Sequence, residues 1–135
     1  MDFAQLDTCK LADDGVQHHI VGPDGAPLYT DDKPVTLTLL GADSAKLTAI
    51  SNQHANAILR NRNQMQVTAE LAMTNEIKRL AAATVGWDGI VLEGEPLPFS
   101  EDNAAMLYRR FPWLRDQVRT FIDDRANFLN ASPKS

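Results

Sequence analysis

A chain of 135 residues, 44% hydrophobic and 23% charged, has the composition of a globular protein and the length for one real core. Its 18 acids and 13 bases give a net charge of −5, which offers no basic face for phosphates and argues against nucleic acid and anionic membranes as partners. One cysteine, Cys9, excludes an intramolecular disulfide; no apolar run approaches the ~20 residues that span a bilayer; and MDFAQLDTCK lacks the pattern of a secretory signal, so a cytoplasm is the expected location.

Charge is uneven along the chain. Residues 1–40 carry seven acids and two bases, residues 41–86 three and five, and residues 87–135 eight and six, so only the middle segment has a basic excess to set against an acidic partner.

Residues 1–40 read as short strands between turns. Thr8–Ala12 is the first extended run, closed by Asp13-Asp14-Gly15. Val16–Val21 follows, then the turn Gly22-Pro23-Asp24-Gly25, a short third strand at Leu28-Tyr29, and a turn at Asp31-Asp32-Lys33-Pro34. Val35–Leu39 alternates apolar and polar residues as a half-buried strand does. The expectation is a small antiparallel meander, too short to stand without something to pack on.

Residues 41–86 read as one long helix or two. Asp43 or Ser44 is the N-cap, and Leu47, Ile50, His54, Ala57 and Ile58 fall on one face. The polar run 60–64 is either an exposed helical stretch or a break. From Gln66 to Val85, Met73, Ile77, Leu80 and Thr84 form one stripe, and Val67, Leu71, Ala81 and Val85 an adjacent one. A stripe this wide predicts a helix buried on two sides, either as the central helix of its own domain or with part of it awaiting a partner, and ended by Gly86.

In residues 87–130, Trp87-Asp88-Gly89 turns the chain into a short strand, Ile90–Leu92, and Pro96 and Pro98 keep the next stretch extended. Ser100 caps a helix over Glu101–Arg110, with Glu101 and Asp102 placed for its dipole. Pro112 opens a last helix whose apolar face is Leu114, Val118, Phe121, Ile122, Phe128 and Leu129, with Arg125 on the same side. Residues 131–135 read as a flexible tail. The whole is an α+β fold in a single domain, 1–135: a small N-terminal antiparallel β meander followed by a mainly α-helical region. Strands first and helices after argue against a doubly wound sheet.

Little in the chain points to chemistry. His18 and His19 are adjacent on a strand and so face opposite ways, which keeps them from sharing an ion with Cys9. His54 reads as a core histidine. The pairs Asp13-Asp14, Asp31-Asp32 and Asp123-Asp124 lie in turns or on helix surface, without a calcium-loop pattern. No phosphate-cradling glycine loop, nucleophile elbow or zinc-binding helix is present, so no catalytic, metal or cofactor-binding residue is assigned. Arg125 either packs its stem and sends its head to water, or pairs with Asp88 and clamps the last helix onto the turn at Trp87. Trp87, Phe99, Phe111, Trp113, Phe121 and Phe128 gather aromatics in the C-terminal third, mostly for the core. Trp113, flanked by Arg110 and Arg115, is the candidate partner-binding anchor. Trp87, Asp88, Gly89, Pro112, Arg125 and Phe128 are assigned structural roles.

Leu80–Leu129 carries a distinctive series: an apolar helix running into Gly86-Trp87-Asp88-Gly89, then Pro98-Phe99-Ser100 with Asn103, Pro112-Trp113-Leu114-Arg115 with Gln117-Val118, and Phe121-Ile122 with Asp124-Arg125-Ala126-Asn127-Phe128. Residues 34–50, PVTLTLLGADSAKLTAI, add a strand, Gly41, and Asp43-Ser44 opening a helix. In these features the chain resembles the tail assembly chaperones of long flexible-tailed (lambda-like) bacteriophages. The resemblance implies a non-catalytic assembly factor in the host bacterial cytoplasm, without cofactor. Such a factor coats the tape measure protein, keeps it soluble, helps recruit major tail protein, and is absent from the mature virion. Self-association is compatible with that role. The resemblance also implies a longer, frameshifted product; codons AGC CCA AAG for Ser132-Pro133-Lys134 would supply a slippery heptamer. The competing readings are a structural minor tail component retained in the virion and, more distantly, an enzyme for which the sequence offers no residue set.

Overall fold

The computed structural model describes residues 2–60 and 68–129. In chain order these form α1 (Cys9–Asp14), β1 (Val16–His19), β2 (Tyr29–Thr30), β3 (Lys33–Pro34), β4 (Thr36–Leu39), α2 (Ala45–Arg60), α3 (Ala69–Ala83), β5 (Thr84–Asp88), β6 (Val91–Leu92), β7 (Glu95–Pro96), α4 (Glu101–Arg110) and α5 (Pro112–Asp123). Short 3-10 turns lie at Phe3–Leu6 and Arg125–Phe128. The fold is α+β, and among the described residues no helix is long and apolar enough to cross a membrane.

The alternation at Thr36–Leu39 decides the centre of the sheet. Leu37 and Leu39 are buried while Thr36 and Thr38 are half-buried, so β4 turns one face to the core. β1 pairs antiparallel along one edge, Val16 opposite Leu39 and His19 opposite Thr36. β5 pairs antiparallel along the other, Thr36 opposite Asp88 and Leu39 opposite Thr84, with an irregularity between Thr38 and Leu39. β2–β3 and β6–β7 are separate two-stranded hairpins. The expected meander is therefore present as β1, the β2–β3 hairpin and β4, and the sheet's third strand arrives from beyond the helices.

The helix signals at 44, 100 and 112 work as read. The Leu47 amide donates to Ser44 Oγ (3.2 Å), and the Asn103 amide to Ser100 Oγ (3.0 Å). Pro112 stands at the start of α5. α3, capped by Thr68, packs against α2, α4 and α5, and buries Ile77, Leu80, Ala81, Ala82 and Ala83. These residues join Leu37, Leu39, Leu47, Leu107, Tyr108, Val118 and Ile122 in one core.

Several expectations change, among them the turn read over Asp31–Pro34, of which Lys33-Pro34 forms β3. Thr8–Ala12 is not a strand: Cys9–Asp14 is helical, started by the Asp7 carboxylate on the Cys9 amide (2.8 Å) and ended at Gly15, which takes φ +92°. Gly86 does not end the central helix. That helix stops at Ala83, and Gly86 lies within β5 opposite Thr38, because pairing with β4 overrides the helical pattern. Val85 is consequently exposed rather than part of a helical stripe, and Trp87 and Asp88 are strand residues, the turn starting at Gly89 with φ +82°. Finally, α5 ends at Asp123, so Arg125 and Phe128 belong to the 3-10 turn that follows. How the polar run 60–64 continues beyond α2 lies outside the described residues, as do Gln66, Val67 and the tail 131–135.

Candidate functional site

The two small hairpins are built alike. β2–β3 turns on Asp31 (φ 51°) and Asp32 (φ 66°), and β6–β7 on Glu93 (φ 52°) and Gly94 (φ 86°). A two-residue loop with both centres at positive φ matches the twist of its strands, and Asn, Asp or Gly followed by Gly is the usual choice. Three of these four positions carry an acid; Asp31 suits its place, whereas Asp32 and Glu93 stand where the conformation costs a side-chain-bearing residue free energy. The Thr30 hydroxyl donates to the Gly89 carbonyl (2.7 Å) and so ties the first hairpin to the entry of the second. Leu28 bridges inward, its amide donating to Ile20 and its carbonyl accepting from Val35.

Between the hairpins and the α4–α5 elbow lies an apolar cleft of about 280 Å³. Ile20, Leu28 and Val35 line it from the sheet side, Ile90, Val91 and Leu92 from the second hairpin, and Leu107, Phe111, Trp113 and Leu114 from the helices. Tyr29 (60% exposed) and Val91 (47% exposed) stand in its wall yet face water. The volume is at or below the ~300 Å³ lower bound of small-molecule sites, and suits one or two large side chains. Beside it, a polar shelf lined by Asp31, Lys33 and Asp88 shares Thr30 and Gly89 with the cleft.

Trp113 is half-buried and lines the cleft. Arg110 is held at its rim: one guanidinium nitrogen donates to Glu93 (3.1 Å), and the group sits 5.3 Å over the Phe111 ring. Arg115 turns inward instead, donating to the Tyr108 carbonyl (2.9 Å) near the end of α4. Arg110 thus shares a surface with Trp113, and Arg115 braces the elbow.

Trp87 donates from its indole to the Leu97 carbonyl (2.9 Å) and meets Phe99 edge-on at 5.1 Å, pinning the approach to α4. Asp88 does not pair with Arg125. Lying beyond α5, Arg125 faces the start of α2 and makes a bidentate pair with Asp43 (2.8 and 3.0 Å), which Thr8 also bonds (2.5 Å). Arg125 and Thr8 together hold the Asp43 carboxyl below its ordinary pKa, against the opposing effect of burial. Phe128 is buried against Gly41 and the edge of Phe121.

His18 and His19 face apart as the strand period requires. His18 lies against Phe121 and bonds Gln117 (2.9 Å), while His19 donates to the Leu28 carbonyl (2.8 Å). His54 is half-buried, in a mixed cleft with Lys78, Glu101, Asp102 and Arg109. Among the described residues, no group of three His, Cys, Asp or Glu side chains gathers as metal ligands would.

Gln117 carries a role that the sequence did not announce. Its side-chain amide donates to the Val21 carbonyl (2.7 Å), and its oxygen accepts from the Val21 amide (2.9 Å) and from His18. It thereby pairs with Val21 as a neighbouring strand would, and fixes the chain next to Ile20 in the cleft wall. The outgoing strands of the two hairpins were read at Leu28-Tyr29 and Ile90–Leu92, but the return strands β3 and β7 were missed, being two residues each and too short for periodicity; Glu93-Gly94 between Val91-Leu92 and Glu95-Pro96 was the available signal for the second. Comparison with known protein families, curated proteins and solved structures finds no match to this chain.

Proposed function

We propose that this chain is a non-catalytic tail assembly chaperone of the long flexible-tailed phage type, which binds the tape measure protein in the host cytoplasm, keeps it soluble and helps recruit major tail protein. The reading rests on the resemblance over residues 34–50 and 80–129. The observation that carries it is that resemblance-bearing segments meet at one surface: Gly89 and Trp113 line the apolar cleft, while Trp87 and Phe99 brace the strand and loop leading from it. A chaperone must offer apolar surface to a client that exposes its own, and a cleft of side-chain size with exposed walls is suited to that task.

Co-expression with the tape measure protein tests this reading. The long protein is expected to be insoluble alone, and soluble and co-purifying in the presence of this chain. If neither protein changes the other's solubility and they do not associate, the reading falls. A minor tail component retained in the virion then leads, and mass spectrometry of purified particles checks it.

A further inference from the structure

We infer that the cleft between the β2–β3 and β6–β7 hairpins docks a basic amphipathic segment: one large apolar side chain fills the cavity while lysines or arginines beside it meet the acids of the hairpins. The inference rests on the chaperone reading only for the identity of the client. The docking chemistry stands on the surface itself.

Cavity size sets the apolar half. About 280 Å³ of apolar space receives a leucine- or phenylalanine-sized group, and Tyr29 and Val91 leave part of the wall in water until something covers it. Charge sets the other half. Residues 29–34 and 88–96 hold Asp31, Asp32, Asp88, Glu93 and Glu95 against the single base Lys33. Arg110 reaches this rim from α4 but is already held by Glu93. Asp31, Asp32, Asp88 and Glu95 make no ion pair with a described residue. Asp31 and Asp88 line the shelf that adjoins the cleft through Thr30 and Gly89. Asp32 occupies a left-handed second position where Gly is the favoured residue, and unlike Glu93 it has no ion-pair partner among the described residues. An acidic client segment would meet like charge on both hairpins, so the complementary occupant is basic.

The test uses the full chain and two synthetic amphipathic peptides with the same leucine and phenylalanine stripe, one flanked by lysines and the other by glutamates. Binding is followed by calorimetry at low and high salt. The lysine peptide is expected to bind at least about tenfold tighter at low salt, with the difference shrinking as salt screens the rim. Val91→Glu, on an exposed strand position, is expected to abolish binding with little change in Tm. The double variant Asp31→Asn, Asp88→Asn, which leaves the apolar wall intact, is expected to narrow the preference. Equal affinity for both peptides, or binding indifferent to Val91→Glu and to the neutralised acids, overturns the inference. So does a wild-type oligomer that Val91→Glu converts to monomer without any peptide binding, since a second copy would then fill the cleft. The two proposals separate cleanly. If the lysine peptide fails to prefer the cleft while wild type and Val91→Glu solubilise the tape measure protein equally, the cleft fails and the chaperone stands. If the lysine peptide binds the cleft as expected while the tape measure protein is unaffected, the chaperone fails and the cleft stands.

Discussion

Thr84 closes α3 with its side chain as much as with its backbone. Its hydroxyl donates to the Leu80 carbonyl (2.9 Å), so its oxygen is left to accept from the buried Tyr108 hydroxyl (2.6 Å). Burial pushes the Tyr108 phenol well above its ordinary pKa, which keeps it a donor. Removing the two ends of this chain is not equivalent. Tyr108→Phe deletes a donor and leaves Thr84 bonded to Leu80, so a loss of about 1 kcal/mol is expected. Thr84→Val strands the phenol in the core without an acceptor, so a larger loss, about 2–3 kcal/mol, is expected by urea unfolding. Equal losses would mean that water reaches Tyr108. Gly41 has a different constraint: a Cβ there would lie 2.8 Å from Ala12 Cβ and 3.1 Å from the Phe128 ring. Gly41→Ala is expected to cost about 1–3 kcal/mol, and a neutral result would show that α1 yields easily.

At the scale of elements, what was legible in the sequence was what is decided locally. Ser100 and Pro112 delimit α4 and α5 because a cap hydroxyl and a fixed φ act within one turn of chain. The alternation of Val35–Leu39 likewise marks β4 without reference to its neighbours. Gly86 misled because a partner distant in sequence decides it: β5 exists by pairing with β4. Thr8–Ala12 is different, since its helix starts on a local signal that was overlooked, the Asp7 carboxylate on the Cys9 amide, and is then held from afar by the Gly41 amide on the Ala12 carbonyl (3.0 Å). The cleft was the least legible part, since its walls come from the sheet side, a hairpin and a helix elbow, none of which signals the others. Its hairpins also carry a testable conflict between stability and use. Replacing Asp31→Asn together with Asp32→Gly provides the residues that this loop favours, so Tm is expected to rise, with a gain of about 1 kcal/mol. Affinity for the lysine-flanked peptide is expected to fall in the same variant. A protein that gains stability and keeps full affinity would show that these acids serve the loop and not a partner.

Across the whole molecule, residues 8–14 and 122–128 meet at the start of α2. Asp43, just before that helix, accepts from Thr8 and from Arg125, while Asp13 accepts from the Ala45 amide (2.8 Å) and the Ile122 carbonyl from the Ala42 amide (3.1 Å). One carboxylate thus joins segments from both halves of the chain, and its titration should be visible in global stability. Because the folded state holds the Asp43 pKa below the ordinary aspartate value of ~3.9, the unfolded chain takes up that proton first as pH falls. The stabilisation is therefore complete above the ordinary value and drains away as pH drops through it toward the lower folded value. Arg125→Gln removes the largest cause of the shift, so it is expected to lower Tm at neutral pH and to differ progressively less from wild type below about pH 4. Thermal unfolding of both proteins across that range checks the expectation. A Tm difference that stays constant into acid would assign the contribution of Arg125 to the packing of its stem, and the closure of the fold at Asp43 would then rest on the Thr8 hydroxyl and the neighbouring backbone bonds.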